Sequence, residues 1–176
     1  NRNGGIGLES SSVELSRITS SFSCSVGYSP ERKKRLDDKL SEKLANGIAL
    51  FNAIPEDGIR FLNEAGLIIP KSSPTATAKL LLCAPGLNRT ILGEYLSKPF
   101  EAGNAKADMW RIYLSLYDFT DRPLDMALRS FLETVVLPSG KQYPENRRKA
   151  VFAFSQQFWK QNEHCCIYRD AKVVYA

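Results

Sequence analysis

Histidine is almost missing from this sequence: His164 is the only one in 176 residues. The four cysteines, Cys24, Cys83, Cys165 and Cys166, follow no zinc-ligand spacing, and the adjacent pair makes a poor disulfide staple. These shortages argue against a Cys/His metal centre, so no metal is expected. They leave the cysteines as free thiols of a reducing cytosol, partly used as core filler. Long apolar runs are absent as well. The longest patches, such as Leu80-Leu81-Leu82-Cys83-Ala84, fall far short of the roughly 18 residues that a membrane span needs, and they suit a buried helical turn. No segment alternates apolar and polar residues with period two, so strands are expected to be few or none. Self-similarity at roughly 34 or 40 residues is lacking too, which leaves helical-repeat architectures unsupported. The chain opens at Asn1 without an initiator methionine or a leader pattern, as expected of a piece of a longer protein.

What is present is ordinary for a globular chain, with 43% apolar and 24% charged residues. The length suits one domain with a substantial core and would crowd two. The net charge of +5 is unevenly placed. Residues 1–137 carry seventeen basic and sixteen acidic side chains. From Pro138 to Lys172, seven basic residues (Lys141, Arg147, Arg148, Lys149, Lys160, Arg169 and Lys172) meet only Glu145, Glu163 and Asp170. Such a patch is ordinarily a solvated face. Its sign also suits an anionic membrane surface or a phosphate-bearing partner, and no motif for specific nucleic-acid recognition accompanies it.

Residues 1–28 read as a Ser/Gly-rich disordered linker, with nine serines from Ser10 to Ser29 and glycines at 4, 5 and 7. The domain is expected over 29–176. Ser29-Pro30 carries a helix-start signal, because the hydroxyl caps and proline lacks only an amide hydrogen that a first turn does not use. Leu36, Leu40, Leu44 and Ile48 then recur every four residues as one apolar stripe. Further helices are predicted from Glu56 to Ala65, from Ser73-Pro74, over Asn88 to Leu96, over Ala105 to Tyr117, from Leu124, and over about Glu145 to Gln161. Phe51, Leu62, Leu82, Leu96, Leu114, Leu128, Phe131 and Phe154 are the expected core. The fold class is therefore all-α, a compact array of short helices.

Several phrases share their order and spacing with one known family. Phe51-Asn52-Ala53-Ile54-Pro55-Glu56-Asp57-Gly58-Ile59-Arg60-Phe61-Leu62 resembles "FN-x-x-P-x-x-GI-x-FL". Leu87-Asn88-Arg89-Thr90-Ile91-Leu92-Gly93-Glu94-Tyr95-Leu96 is similar to "LNK-x-x-IGEYL". Leu124-Asp125, Ala127-Leu128-Arg129 and Phe131-Leu132 match "LD-x-ALR-x-FL". Leu137-Pro138 and Gln142 resemble the "LPGEAQ" signature, and Asp170-Ala171 to Tyr175-Ala176 the start of "DA-x-x-x-LAYS". Over residues 44–176 the chain resembles the Sec7 domain, the all-helical, right-handed module that drives nucleotide exchange on Arf-type small GTPases. Arg32-Lys33-Lys34-Arg35 and Phe158-Trp159 lean toward the large Golgi members.

The resemblance implies a mechanism without a covalent step. The domain grips the GTPase in an apolar groove, here through Phe131, Leu137, Pro138 and Gln142, and a loop glutamate repels the nucleotide's β-phosphate and competes for Mg²⁺. The magnesium belongs to the GTPase, so the domain has no cofactor of its own. The implied partner is an Arf-family GTPase, and the implied workplace is cytoplasmic, peripheral on Golgi or endosomal membranes. In this sequence the glutamate's column falls on Gly140, or on Tyr143 when counted back from Ala153-Phe154-Ser155. Neither is an acid. Glu145 is the nearest carboxylate, and it reads either as a displaced substitute or as a first-turn helix residue beside Arg147, Arg148 and Lys149. Three readings stay open: an exchange factor, a non-catalytic module that binds a GTPase or membrane, and a truncated gene product. The chain stops before the family's second signature, "MLNTDLHN", which would form the other groove wall, so Phe152 and Phe158 are expected to be partly uncovered.

Overall fold

Helices in this chain start where a short polar side chain or a proline disposes of the amide hydrogens that a first turn leaves over. The computed structural model describes residues 30–102, 105–138, 144–165 and 170–175, and the linker assigned to 1–28 lies outside them. Helix α1 spans Pro30–Ala53 and α2 spans Pro55–Glu64. The break between them is dictated by Pro55, which pushes Ile54 into extended backbone and then serves as the first residue of α2. Ser73 caps α3 (Pro74–Cys83) by accepting from the Ala76 amide. Asn88 caps α4 (Arg89–Ser97) by accepting from the Thr90 and Ile91 amides.

A short antiparallel ribbon follows, β1 (Phe100–Ala102) against β2 (Ala105–Ala107), with Phe100 opposite Ala107. The helix expected from Ala105 to Tyr117 is thus corrected at both ends. It starts only after Asp108, whose carboxylate accepts from the Trp110 and Arg111 amides, and α5 covers Met109–Leu114. Helices α6 (Leu124–Thr134) and α7 (Pro144–Asn162) complete the core, followed by a 3₁₀ turn (Glu163–Cys165) and α8 (Ala171–Tyr175). The all-α class holds, since the ribbon is the only sheet among the described residues.

Six-residue α5 is the hub. It packs on α3, α4 and α7, and Met109, Trp110, Tyr113 and Leu114 are all buried. Of the expected core, Phe51, Leu62, Leu96, Leu114, Phe131 and Phe154 are buried, whereas Leu82 and Leu128 are half-buried. Leu36 is exposed, with Leu40 and Leu44 half-buried and Ile48 buried. The stripe on α1 therefore works only toward its C-terminal end. At about 1.5 Å per residue, a 24-residue helix outruns its ten-residue neighbour α2.

The α1–α2 contact depends on missing side chains. A methyl built on Gly58 would lie 2.4 Å from the Phe51 backbone, and one on Gly47 2.3 Å from Leu62 Cδ2. Phe51 then meets Tyr95 of α4 edge to face at 5.3 Å. Because the Phe51 backbone cannot yield as a side-chain tip can, Gly58→Ala is expected to cost about 2 kcal/mol or more, read as a lower denaturant midpoint. Burial pushes the phenols of Tyr95, Tyr113 and Tyr117 above their ordinary value, with the Glu56 charge adding to the effect at Tyr95. A raised folded-state pKa means full stability below the unfolded value of about 10 and progressive loss as pH climbs through and above it. Alkaline titration of the fold should show this loss, and Tyr117→Phe should reduce its steepness.

Candidate functional site

The candidate site is the connection from α6 to α7, and its supports are mostly aromatic. Phe131 on α6 is fully buried, with its ring 6.0 Å from Trp110, 6.3 Å from Tyr117 and 5.7 Å from Phe154 on α7. Phe154 meets Phe119 edge to face and continues the stack to Phe158. The 117–121 turn ahead of α6 is held by the last two residues of α7. Gln161 accepts from the Phe119 amide at 2.8 Å and donates to the Tyr117 carbonyl at 2.9 Å. Asn162 accepts from the Asp121 amide at 2.8 Å and donates to the Phe119 carbonyl at 3.0 Å. Asp121 has φ 55, a left-handed backbone that these bonds secure, and His164 contacts its carboxylate at 3.0 Å. Both ends of the α6–α7 unit are therefore tied together before the loop is considered.

Helix α6 ends at Thr134, whose hydroxyl donates to the Phe131 carbonyl and bonds the Tyr117 hydroxyl. Val135 is extended and buried. The segment then runs against α4: the Val136 amide donates to the Arg89 carbonyl at 3.1 Å, and the Arg89 guanidinium donates to the Leu132 carbonyl at 2.5 Å. Leu137 is half-buried and Pro138 buried. Gly140, Gln142 and Tyr143 lie outside the described residues.

Phe131 therefore backs the surface from beneath. The exposed apolar side chains beside it are Leu132 and Val136. Glu145 stands exposed in the first turn of α7, where a carboxylate favours the helix dipole. Arg147, Arg148 and Lys149 follow it, all exposed and in no ion pair among the described residues. Among those residues no group of three or more His, Cys, Asp or Glu side chains forms a metal site, and no helix is long and apolar enough to cross a membrane. Of the two phenylalanines expected to be uncovered, Phe152 is 38% exposed, with the Tyr175 ring at its edge, but Phe158 is buried. Phe158 faces inward because its ring joins the Phe154 stack.

Sequence reasoning missed the supports of the α6–α7 connection on α4. The available signal was Gly93, a glycine inside a helix, which is disfavoured there unless packing demands it.

The sequence model of the Sec7 domain family matches residues 40–176. The ARF guanine-nucleotide exchange factor GNL2 of Arabidopsis thaliana is 34% identical over 119 residues, covering 68% of this chain and 8% of its own length. Human cytohesin-2 is 34% identical over 118 residues, covering 67% of this chain and 28% of its own. The crystal structure of the Sec7p catalytic domain superposes with a TM-score of 0.64 at 30% identity, over 75% of this chain and 68% of that one. The chain thus spans under a third of either curated relative.

Gln161→Ala removes both side-chain bonds to the 117–121 turn. The expected cost is about 1–3 kcal/mol, with the Phe119 amide losing protection first in hydrogen exchange. Equal loss of protection across α1 and α2 would contradict this placement.

Proposed function

The chain belongs to the Sec7 domain family, and on that premise we propose that it is an exchange-factor module for an Arf-family small GTPase. The observation that carries the reading is the match of residues 40–176 to that domain, supported by 34% identity to a plant ARF exchange factor. The apolar pair Leu132 and Val136, next to Leu137-Pro138, supplies the surface a GTPase would cover. Its workplace is the cytoplasmic face of Golgi or endosomal membranes, in vesicle traffic, where the basic stretch from Lys141 to Lys172 favours anionic headgroups.

Exchange by this route needs a carboxylate against the β-phosphate. Two unit charges about 4 Å apart repel by about 4 kcal/mol at an effective dielectric of 20, roughly a thousandfold in nucleotide affinity. Gly140 and Tyr143 supply no such charge, and Glu145 is followed by three exposed cations. That favours a second reading, in which the module binds the GTPase without releasing its nucleotide.

Release of a fluorescent nucleotide from an Arf-type GTPase separates the two. The 176-residue chain is expected to give no measurable stimulation, and stimulation gained by Gly140→Glu in a chain extended past Ala176 would show that the groove is sound and only the acid was missing. Stimulation that Glu145→Gln abolishes while binding persists would make Glu145 a displaced substitute. Stimulation that survives Glu145→Gln would remove it from catalysis. Amide exchange with nucleotide-free GTPase should show protection centred on 131–142 and α7, and protection confined to residues 44–100 would overturn the partner assignment.

A further inference from the structure

A glycine inside a helix costs roughly 1 kcal/mol relative to alanine, so Gly93 in the middle of α4 calls for a reason. A methyl built there would lie 2.0 Å from the Val136 carbonyl oxygen, 3.1 Å from its carbon and 3.3 Å from Val135 Cγ2. The backbone leaving α6 therefore rests directly on the backbone of α4. One turn earlier, the Arg89 carbonyl accepts from the Val136 amide at 3.1 Å. The Arg89 guanidinium reaches the Leu132 carbonyl at 2.5 Å, in the last turn of α6, where carbonyls lack helical partners.

Helix α4 is itself held in place by α1. Asn52 donates to the Gly86 carbonyl at 2.9 Å and accepts from the Asn88 amide at 2.8 Å, while the Asn88 side chain caps α4. A continuous line of hydrogen bonds thus runs from the end of α1 to the residue two before Pro138.

We propose that Gly93 and Arg89 are positioning residues for the exchange loop: together they set where the chain leaves Val136, and so where the loop meets a GTPase. What the loop does there rests on the exchange-factor reading above, whereas the position itself rests on this geometry alone. Restoring an ordinary contact of about 3.4 Å between a methyl at 93 and the Val136 carbonyl oxygen, 2.0 Å away, needs a retreat of about 1.4 Å, more than the roughly 1 Å misplacement that costs positioned chemistry about a hundredfold.

The test compares Gly93→Ala, Arg89→Ala and Arg89→Lys in the 176-residue chain. The readouts are amide exchange at Val136, affinity for a nucleotide-free Arf-type GTPase, and the thermal midpoint. In both alanine variants the Val136 amide should exchange about tenfold faster, because Gly93→Ala pushes the Val136 backbone off α4 and Arg89→Ala removes the Leu132 bond beside it. GTPase affinity should fall at least as far, while the Tyr113 and Leu114 amides keep their protection. Arg89→Lys, which keeps a donor, should recover part of both losses. Wild-type protection at Val136 in both alanine variants would overturn the proposal. So would undiminished GTPase affinity despite a loosened Val136. If Gly93→Ala unfolds the chain, Arg89→Ala decides, because its side chain is exposed. If the wild-type chain captures no GTPase, the exchange-factor reading is what fails, and Val136 exchange still decides whether these two residues position the loop.

Discussion

The ring of Phe131 is the contact on which the rest of this structure depends. It touches Trp110 on α5, Tyr117 in the following turn and Phe154 on α7. Three consecutive helices therefore share one apolar centre. A side chain of this size, completely withdrawn from water, contributes roughly 1.5–3 kcal/mol by burial, and aromatic pairs add about 0.5–1.5 kcal/mol each. The edge-to-face geometry toward Trp110 and Tyr117 and the stacked geometry toward Phe154 leave few orientations open to α6. Once α6 is fixed, Val135 and Val136 have to leave it on the α4 side, where Gly93 admits them.

The polar contacts matter for direction more than for energy. Gln161 and Asn162 fasten the end of α7 to the turn before α6, and Asn52 fastens the end of α1 to the start of α4. Each is an amide side chain using its donor and its acceptor on backbone groups that no helix satisfies. Such bonds are worth about 1 kcal/mol apiece, small beside the apolar core. They choose among packings that the core alone would leave nearly equal.

Local signals explain what was legible in the sequence. Ser73-Pro74, Asn88 and Pro55 act within four residues of where they stand, so the starts of α2, α3 and α4 could be read directly. The start of α5 could not, because Ala105 to Ala107 suit a helix and pairing with Phe100 to Ala102 takes them into a ribbon. Leu36 fits the apolar stripe of α1 but meets no cover, since periodicity reports which face is apolar and not how far the neighbouring helix extends. For the site, order and spacing of phrases pointed to the stretch after Leu137-Pro138, most of which lies outside the described residues. The Arg89–Leu132 link joins residues 43 positions apart, and no local pattern carries such a contact.

The described supports of the loop are apolar side chains, backbone amides and one arginine directed at a carbonyl. These contacts among the described residues hold without any acid in the loop. A charge whose only purpose is to repel a phosphate on another protein does little for the free domain, because a solvated surface side chain shifts stability by no more than about 0.5 kcal/mol. Selection for folding alone would retain Phe131, Gly93 and the asparagine clamps while leaving the loop composition free. Family membership rests on the helices and their caps, whereas the exchange activity proposed for this chain rests on a loop in which the acid's position falls on Gly140 or Tyr143.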